Sequence, residues 1–390
     1  MIPYGRQNIS DDDINEVINV LKSDYLTQGP SVNKFENDVR QYVGSKYAIA
    51  ANSATSCLHL GCKALGLGKG DWLWTSPNSF VASANAALYC GAKVDFVDID
   101  EDTYNISIAK LEKKLVDAKR KNNLPKVIMP VHFAGQSCDM YKIYKLSKEF
   151  KFHIIEDASH AIGGKYNGKK IGCCRYSDVT VFSFHPVKII TTGEGGVALT
   201  NDKLIANKIR MERSHGIQRI DSSFDLSRMK RNDEIWNYEQ VSLGYNYRIT
   251  DIQASLGSSQ LKRIDDFIHI RHRIAELYNK DLSGLSIKLP YQSTSNFSSY
   301  HLYPIRVSKD YCNVNQKDLF YGLKAKGINV NLHYIPIYRH PYYKNLGFNE
   351  GYCKESEAHF KEVISLPIFP SLKLEDQKYI IKSIKDIVLK

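Results

Sequence analysis

At 390 residues, 43% hydrophobic and 24% charged, the chain has the make-up of a soluble globular protein large enough for two cores. No apolar run approaches the ~18 residues of a membrane span, and the eight cysteines are scattered without a C-x-x-C pair, which argues against a disulfide framework or a closed metal site. The net charge of +11 comes from dispersed lysines, not from an arginine-rich arm or an aromatic–basic ladder, so no nucleic-acid partner is expected, and anionic small molecules are compatible with it.

The opening residues Met1-Ile2-Pro3-Tyr4-Gly5-Arg6 carry neither the apolar core nor the cleavage site of a signal peptide, which predicts a cytoplasmic location. Ser10 reads as a helix N-cap followed by Asp11, Asp12 and Asp13, and Ile14, Val17, Ile18 and Leu21 then form one apolar stripe. Leu26-Thr27-Gln28-Gly29-Pro30 breaks that helix, and a second begins near Val32 with Phe35 and Val39 on its buried side. The strand Tyr47 to Ala51 turns at Asn52-Ser53-Ala54-Thr55 into a helix that buries Leu58, Cys62 and Leu65. Small residues in this turn let backbone N–H groups approach a phosphate at the positive end of the helix; an ordinary capped helix start is the alternative.

Further strands are predicted at 72–75, 94–97, 127–131, 154–155, 179–184 and 197–200, with helical patterns such as 107–119 and 139–150 between them. This alternation predicts an α/β fold with a mainly parallel, doubly wound sheet. A helix is predicted from Asp251 through Ile264, Phe267 and Ile268 to about Leu277. Beyond Gly284 the pattern shortens to alternating pieces at 303–307 and 330–334, with helices at 316–326 and 374–388. A large domain over 1–265 and a smaller α+β C-terminal domain over 266–390 are therefore expected.

Two strands end on a charge. The run Asp178 to Phe184 alternates, stops at Pro186 and is followed by Lys188, and Phe152-His153-Ile154-Ile155 leads to Asp157. Ligands of open α/β sheets sit outside the carboxyl ends of the strands. A lysine amine and a carboxylate delivered to that edge are what a pyridoxal phosphate site needs. A surface lysine and a helix-capping aspartate are the plainer alternative.

Taken in order, several segments together resemble the fold-type I pyridoxal-phosphate-dependent enzymes, and within them the aminotransferases of nucleotide-linked keto sugars. They are Leu-Thr-Gln-Gly-Pro from Leu26, Asn-Ser-Ala-Thr-Ser from Asn52, Ser-Pro-Asn-Ser-Phe-Val-Ala from Ser76 and Glu-Asp-Ala-Ser-His-Ala from Glu156. Ser-Phe-His-Pro-Val-Lys-Ile-Ile-Thr-Thr-Gly-Glu-Gly-Gly from Ser183, Arg-Ser-His-Gly from Arg213 and Gly-Tyr-Asn-Tyr-Arg from Gly244 complete the set, which covers nearly the whole chain.

The resemblance implies that Lys188 holds pyridoxal phosphate as a Schiff base and then shuttles a proton, and that Asp157 keeps the pyridine nitrogen protonated. It implies that His160, where many relatives carry glutamine, bonds the ring hydroxyl and that Phe80 stacks on the ring. Ala54, Thr55 and Ser183 would hold the phosphate, with Asn246 reaching it from the second subunit of a homodimer. Thr27, Gln28, Arg213, His215, His333 and Tyr334 are the substrate-contact candidates.

The likeness is nearest to transaminases of pseudaminic acid synthesis. The implied reaction takes an amino group from L-glutamate to C4 of UDP-2-acetamido-2,6-dideoxy-β-L-arabino-hex-4-ulose. A different UDP-4-keto sugar (the D-xylo epimer or a pentose) is the alternative substrate, and a non-catalytic sugar-nucleotide-binding regulator is the alternative role.

Overall fold

Seven of the apolar runs pair into one sheet in a computed structural model of the chain, which describes residues 1–219 and 238–389. The strands are β1 (Tyr47–Ala51), β2 (Trp72–Thr75), β3 (Lys93–Phe96), β4 (Val127–Met129) and β5 (His153–Asp157). A short hairpin, β6 (Lys165–Tyr166) and β7 (Lys169–Lys170), lies outside the sheet, which resumes with β8 (Val179–Ser183) and β9 (Gly196–Thr200). The order is β1-β9-β8-β5-β4-β2-β3. Only β9 runs antiparallel to its neighbours. The link between β8 and β9 contains no helix and β9 returns antiparallel; helices lie between β2 and β3 and between β4 and β5, whereas the parallel pair β5 and β8 is joined through the β6–β7 hairpin.

Helices clothe both faces, because the central strands are buried along nearly every residue and so present apolar side chains to both sides. Leu58 and Cys62 of α3 (Ala54–Ala64), Ala84 of α4 (Ala82–Tyr89) and Ile209 of α7 (Lys203–Arg213) pack on Ile49, Val94, Ile155 and Val179. On the other face Phe35 and Val39 of α2 (Pro30–Val43) meet Ala48, Phe182 and Val197. There too Leu111 of α5 (Ile108–Arg120) and Ile143 of α6 (Met140–Phe150) cover Trp74, Ile128 and Ile154.

Three expectations change. The helix predicted from Asp251 is two helices, α8 (Asp251–Leu261) and α9 (Ile264–Leu282), because Arg263 leaves helical geometry and sends its guanidinium to Asn8 and Asp13. That contact also turns α1 (Asp11–Leu21): the fully buried Asp13 accepts from Gln260 at 2.6 Å, and Ile14, Ile18 and Leu21 of the apolar stripe face outward. The alternating run 330–334 is not a strand. Only Asn331 bridges to Ser365, and the run is held by side chains described below.

The C-terminal part builds on the antiparallel pair Tyr303–Arg306 and Val363–Leu366, with Leu319, Leu323, Ile380 and Ile384 packed around it. Helix α9 serves both cores. Ile264, Phe267 and Ile268 join the sheet's core, and Ile274, Tyr278 and Leu282 join the smaller one. The changeover therefore lies within a continuous helix, where Arg271 donates to the carbonyls of Tyr300, His301 and Ile368. Tyr338 and Tyr343 pack back on Phe96, so the C-terminal residues also wall the edge of the large sheet.

Candidate active site

Strand register brings the turn Asn52-Ser53-Ala54-Thr55 and Ser183 together. Gly196 pairs with Ala51 at the end of β1 and with Ser183 at the end of β8, which places all three at one edge. A Cβ on Gly196 would lie 2.5 Å from the Ala54 nitrogen, so the strand passes the turn with no room for a side chain. Ser53 caps α3 by accepting from the Ser56 amide at 3.1 Å, and Ala54 and Thr55 stay half-exposed at the positive end of the helix. This is a cradle of small residues and backbone N–H groups suited to a phosphate.

Asp157 ends β5 at the same edge and is 4% exposed. Its Oδ2 accepts from the Ser83 hydroxyl at 2.6 Å, and its Oδ1 accepts from the Ser159 hydroxyl at 2.6 Å and the Ser159 amide at 3.2 Å. Glu156 points to the opposite face and receives Ser177, Thr180 and the His132 ring, which keeps it out of the site. Lys188 follows β8 in a turn, its amide donating to the His185 carbonyl at 2.9 Å. Loss of water around its ammonium lowers its pKa to about 8, and the charge of Asp157 works in the other direction.

Around Lys188 stand neutral histidines. His160 accepts from the Ala134 amide at Nδ1 (3.3 Å), so its proton sits on Nε2, 3.0 Å from the Tyr334 hydroxyl. The His301 ring lies 4.5 Å from that of His160, tilted by 46°, and His333 meets the Ser365 hydroxyl at 2.9 Å. Burial, with the charge of Lys188, holds all three below the usual histidine range, His333 at about 3. Asn78 fixes the Tyr334 amide at 3.2 Å, and Tyr4 packs on the His333 ring at 5.7 Å.

The sequence candidates thus fall into two groups. Asp157, His160, Lys188, His333 and Tyr334 share one electrostatic neighbourhood, and Ala54, Thr55 and Ser183 share one sheet edge. Phe80 is 62% exposed just before α4, whose Ser83 reaches Asp157. Both ring nitrogens of His160 are engaged within the chain, so the Tyr334 hydroxyl stands between His160 and any ligand along that line.

The guanidinium of Arg213 is directed into the framework. It donates to Glu36 and to the Ala50 carbonyl, both at 2.7 Å. Thr27, Gln28, His215 and Asn246 are exposed. Thr27 bridges to Thr250, and Asn246 bridges to Ser214 along a main chain that also carries the Asn52 amide on the Tyr247 carbonyl at 2.8 Å. Sequence reasoning passed over Ser83, Ser159, His301 and Tyr4. Ser79 and Ser83, one helical turn apart beside Phe80, were the readable signal; nothing local marks His301, which arrives from the far side of α9.

A lysine depressed by burial beside a fixed carboxylate and an anion cradle has the donor chemistry of a pyridoxal phosphate site. The model of the DegT/DnrJ/EryC1/StrS aminotransferase family matches residues 7–385. The chain belongs to this family. It is 40% identical over 386 residues to the UDP-4-amino-4,6-dideoxy-N-acetyl-beta-L-altrosamine transaminase of Campylobacter jejuni, covering 97% of this chain and 96% of that one. Among solved structures, Helicobacter pylori PseC, an aminotransferase involved in the biosynthesis of pseudoaminic acid, superposes with a TM-score of 0.89 at 32% identity, covering 100% of this chain and 99% of that one. The PLP form of a putative sugar aminotransferase, Spr1654 from Streptococcus pneumoniae, gives 0.87 at 29% identity, covering 99% and 98%.

As a member of the family this chain is a pyridoxal-phosphate-dependent sugar aminotransferase with the fold-type I architecture. Among the described residues, no helix is long and apolar enough to cross a membrane.

Proposed function

We propose that this aminotransferase moves the amino group of L-glutamate to C4 of UDP-2-acetamido-2,6-dideoxy-β-L-arabino-hex-4-ulose, giving a UDP-4-amino sugar for pseudaminic acid synthesis in the cytoplasm. The half-buried Lys188, its pKa lowered near Asp157, carries the reading at the level of chemistry. The 40% identity to the Campylobacter transaminase supports the sugar.

Pyridoxal phosphate, when bound, supplies the electron sink and the carrier of the amino group. The backbone at Ala54 and Thr55, with Ser183, would hold its phosphate, Phe80 would cover its ring, and Asp157 would hold the proton on its ring nitrogen. Lys188 would attach it and, once its amine is free, take the proton from the donor α-carbon and return one at C4 of the sugar. Its depressed pKa keeps a usable share of that amine neutral near neutral pH. His160, His301 and His333 lie within the electrostatic reach of this amine without adding positive charge, and the His160–Tyr334 bond orients the Tyr334 hydroxyl.

The active unit in this reading is a two-fold dimer in which Asn246 serves the neighbouring site. Two observations support it. Asn246 is exposed on a main chain pinned to Arg213, His215 and Asn52, and Ile14, Ile18, Leu21, Tyr25 and Leu26 leave apolar surface uncovered.

The deciding experiment offers the purified enzyme the L-arabino and D-xylo 4-keto sugars side by side with glutamate, following 2-oxoglutarate release. Preference for the L-arabino sugar is expected. Preference for the D-xylo sugar would replace the substrate while keeping the chemistry, and no release with either would overturn both.

A further inference from the structure

The main chain of residues 244–251 is laid against three separate parts of the protein. The His215 amide donates to the Tyr245 carbonyl at 2.8 Å, and the Tyr247 amide donates to the Arg213 carbonyl at 3.0 Å. The Asn52 amide meets the Tyr247 carbonyl at 2.8 Å, and the Asp251 amide donates to the Leu26 carbonyl at 3.0 Å. Tyr247 and Asp251 are four positions apart, so the points at which the cradle and the turn at Leu26 attach are at most about 14 Å from each other.

Asp251 fixes that turn with its side chain as well. The carboxylate is fully buried, and its two oxygens accept from the Gly29 and Ser31 amides, each at 2.8 Å. It thereby satisfies free N–H groups at the start of α2, whose own N-cap, Gly29, has no side chain to do so. A Cβ on Gly29 would lie 2.4 Å from the Tyr25 Cβ and 2.8 Å from Oδ1 of Asp251. Between the bonded residues Leu26 and Gly29, Gln28 is held in the left-handed conformation at φ 55°. A Cβ makes that conformation costly, and glycine is its usual occupant. Gln28 is exposed, and its side chain makes no hydrogen bond or ring contact among the described residues. The framework thus bears the strain of a side chain that returns nothing to it, which marks Gln28 as kept for what it touches outside the chain.

We propose, on the substrate reading above, that Asp251 is a positioning residue that locks the turn 26–29 so that the Gln28 carboxamide meets the nucleotide of the UDP-sugar. The reacting C4 belongs at the cofactor edge, and an exposed group beside that edge meets the far end of the substrate, which is the nucleotide. A carboxamide donates through its nitrogen and accepts through its oxygen, matching the adjacent acceptor and donor of a uracil ring. Asn246 rides on the same main chain, bridged to Ser214, so Gln28 and Asn246 serve the same site.

The test titrates UDP into the full-length enzyme loaded with pyridoxal phosphate and follows binding by calorimetry. Gln28→Gly removes the side chain and its strain together, so its thermal midpoint should equal or exceed that of the wild type while the Kd for UDP rises roughly fivefold. Asp251→Asn leaves one acceptor oxygen where two stood, and its Kd for UDP should rise by a similar factor with Gln28 still present. In turnover both variants should raise the KM of the nucleotide sugar and leave that of glutamate in place, a split that a merely structural loss would not produce. The double variant should bind UDP no worse than Gln28→Gly alone, because Asp251 acts through Gln28. Gln28→Gly is an exposed change and tests the contact whether or not Asp251→Asn folds. Variants that bind UDP as the wild type does, or losses that multiply in the double variant, would overturn the proposal. A wild type that does not bind UDP would overturn the substrate reading and this role of Asp251 with it.

Discussion

The Ser83 hydroxyl donates to Oδ2 of Asp157 across 2.6 Å, and Ser159 holds the other carboxylate oxygen at the same distance. The carboxylate is thus aimed by α4 on one side and by the turn after β5 on the other. Its plane is set before any ring arrives, as preorganised electrostatics requires.

Asp157→Asn keeps the shape and removes the charge, so kcat should fall roughly 10²–10³-fold while cofactor can still be retained. Ser83→Ala should cost roughly tenfold, since a hydrogen bond to a charged group is worth about 1.5 kcal/mol or more. A purely structural role for Ser83 would leave the bound cofactor's absorbance unchanged. Here the pH midpoint of that absorbance should move in both variants, and near-normal rates in Asp157→Asn would refute the assignment.

Much of this edge was legible. Strand endings mark Asp157, Ser183 and Lys188, because a charge or proline after an apolar run can lie only where a strand leaves the core. The helix α1 misled, because Asp13 pairs with Gln260 and Arg263 about 250 positions away and overrides the local stripe. The run 330–334 misled for a similar reason. Its alternation reflects His333 anchored to Ser365 and Tyr334 anchored to His160, which are side-chain bonds a period-two pattern cannot distinguish from a ladder. Arg213 sits in a motif that suggests ligand contact, but its partner Glu36 lies on another helix, and no spacing rule links them.

Lys188 gives a direct pH test. Only its neutral amine can capture pyridoxal phosphate, and its pKa is lowered to about 8, so capture by the cofactor-free protein should quicken as pH rises from 6 to 9. The midpoint belongs near 8. Stopped-flow absorbance checks this, and a midpoint near the ordinary ~10.4 of lysine would show that burial does not act on this amine. Lys188→Ala should bind cofactor only reversibly, and borohydride should fix none of it to the chain.

The histidines predict acid sensitivity. His160, His301 and His333 have folded pKa values below their unfolded ones, so the unfolded chain gains protons first as pH falls below ~6.5. Their contribution to stability is complete above that pH. It declines by up to about 1.4 kcal/mol per histidine per pH unit on the way down, for His333 until about 3. Urea midpoints measured between pH 7 and 5 should fall, and His301→Gln should flatten the slope. An unchanged slope in that variant would remove His301 from the set.

Arg213 should matter for folding and little for substrate. Its guanidinium pairs with Glu36 at 2.7 Å with both side chains mostly buried, and removing one partner strands the other. Arg213→Ala should cost roughly 3 kcal/mol by chemical denaturation. The KM for the sugar should stay within about twofold once the folded fraction is counted, since no uniform binding contact is lost. A large rise in KM with unchanged stability would return Arg213 to the substrate.

Sharing of the site across a dimer can be decided by complementation. Asn246 is exposed, and its main chain is tied to the chain's own Ser214, with the neighbouring Tyr247 carbonyl bonded to Asn52. The side chain is thus carried on a rigid support at the protein surface. If it serves the neighbouring subunit, each site combines Lys188 of one protomer with Asn246 of its partner. Lys188→Ala and Asn246→Ala should each be inactive alone. After the two are unfolded and refolded together, random pairing makes about half of the dimers mixed. A mixed dimer carries one site with both defects and one with neither, so about a quarter of all sites should recover. Were Asn246 to serve its own protomer's site, every site in a mixed dimer would carry one defect. No mixture would then restore activity, and a flat zero after verified subunit exchange would exclude the shared site.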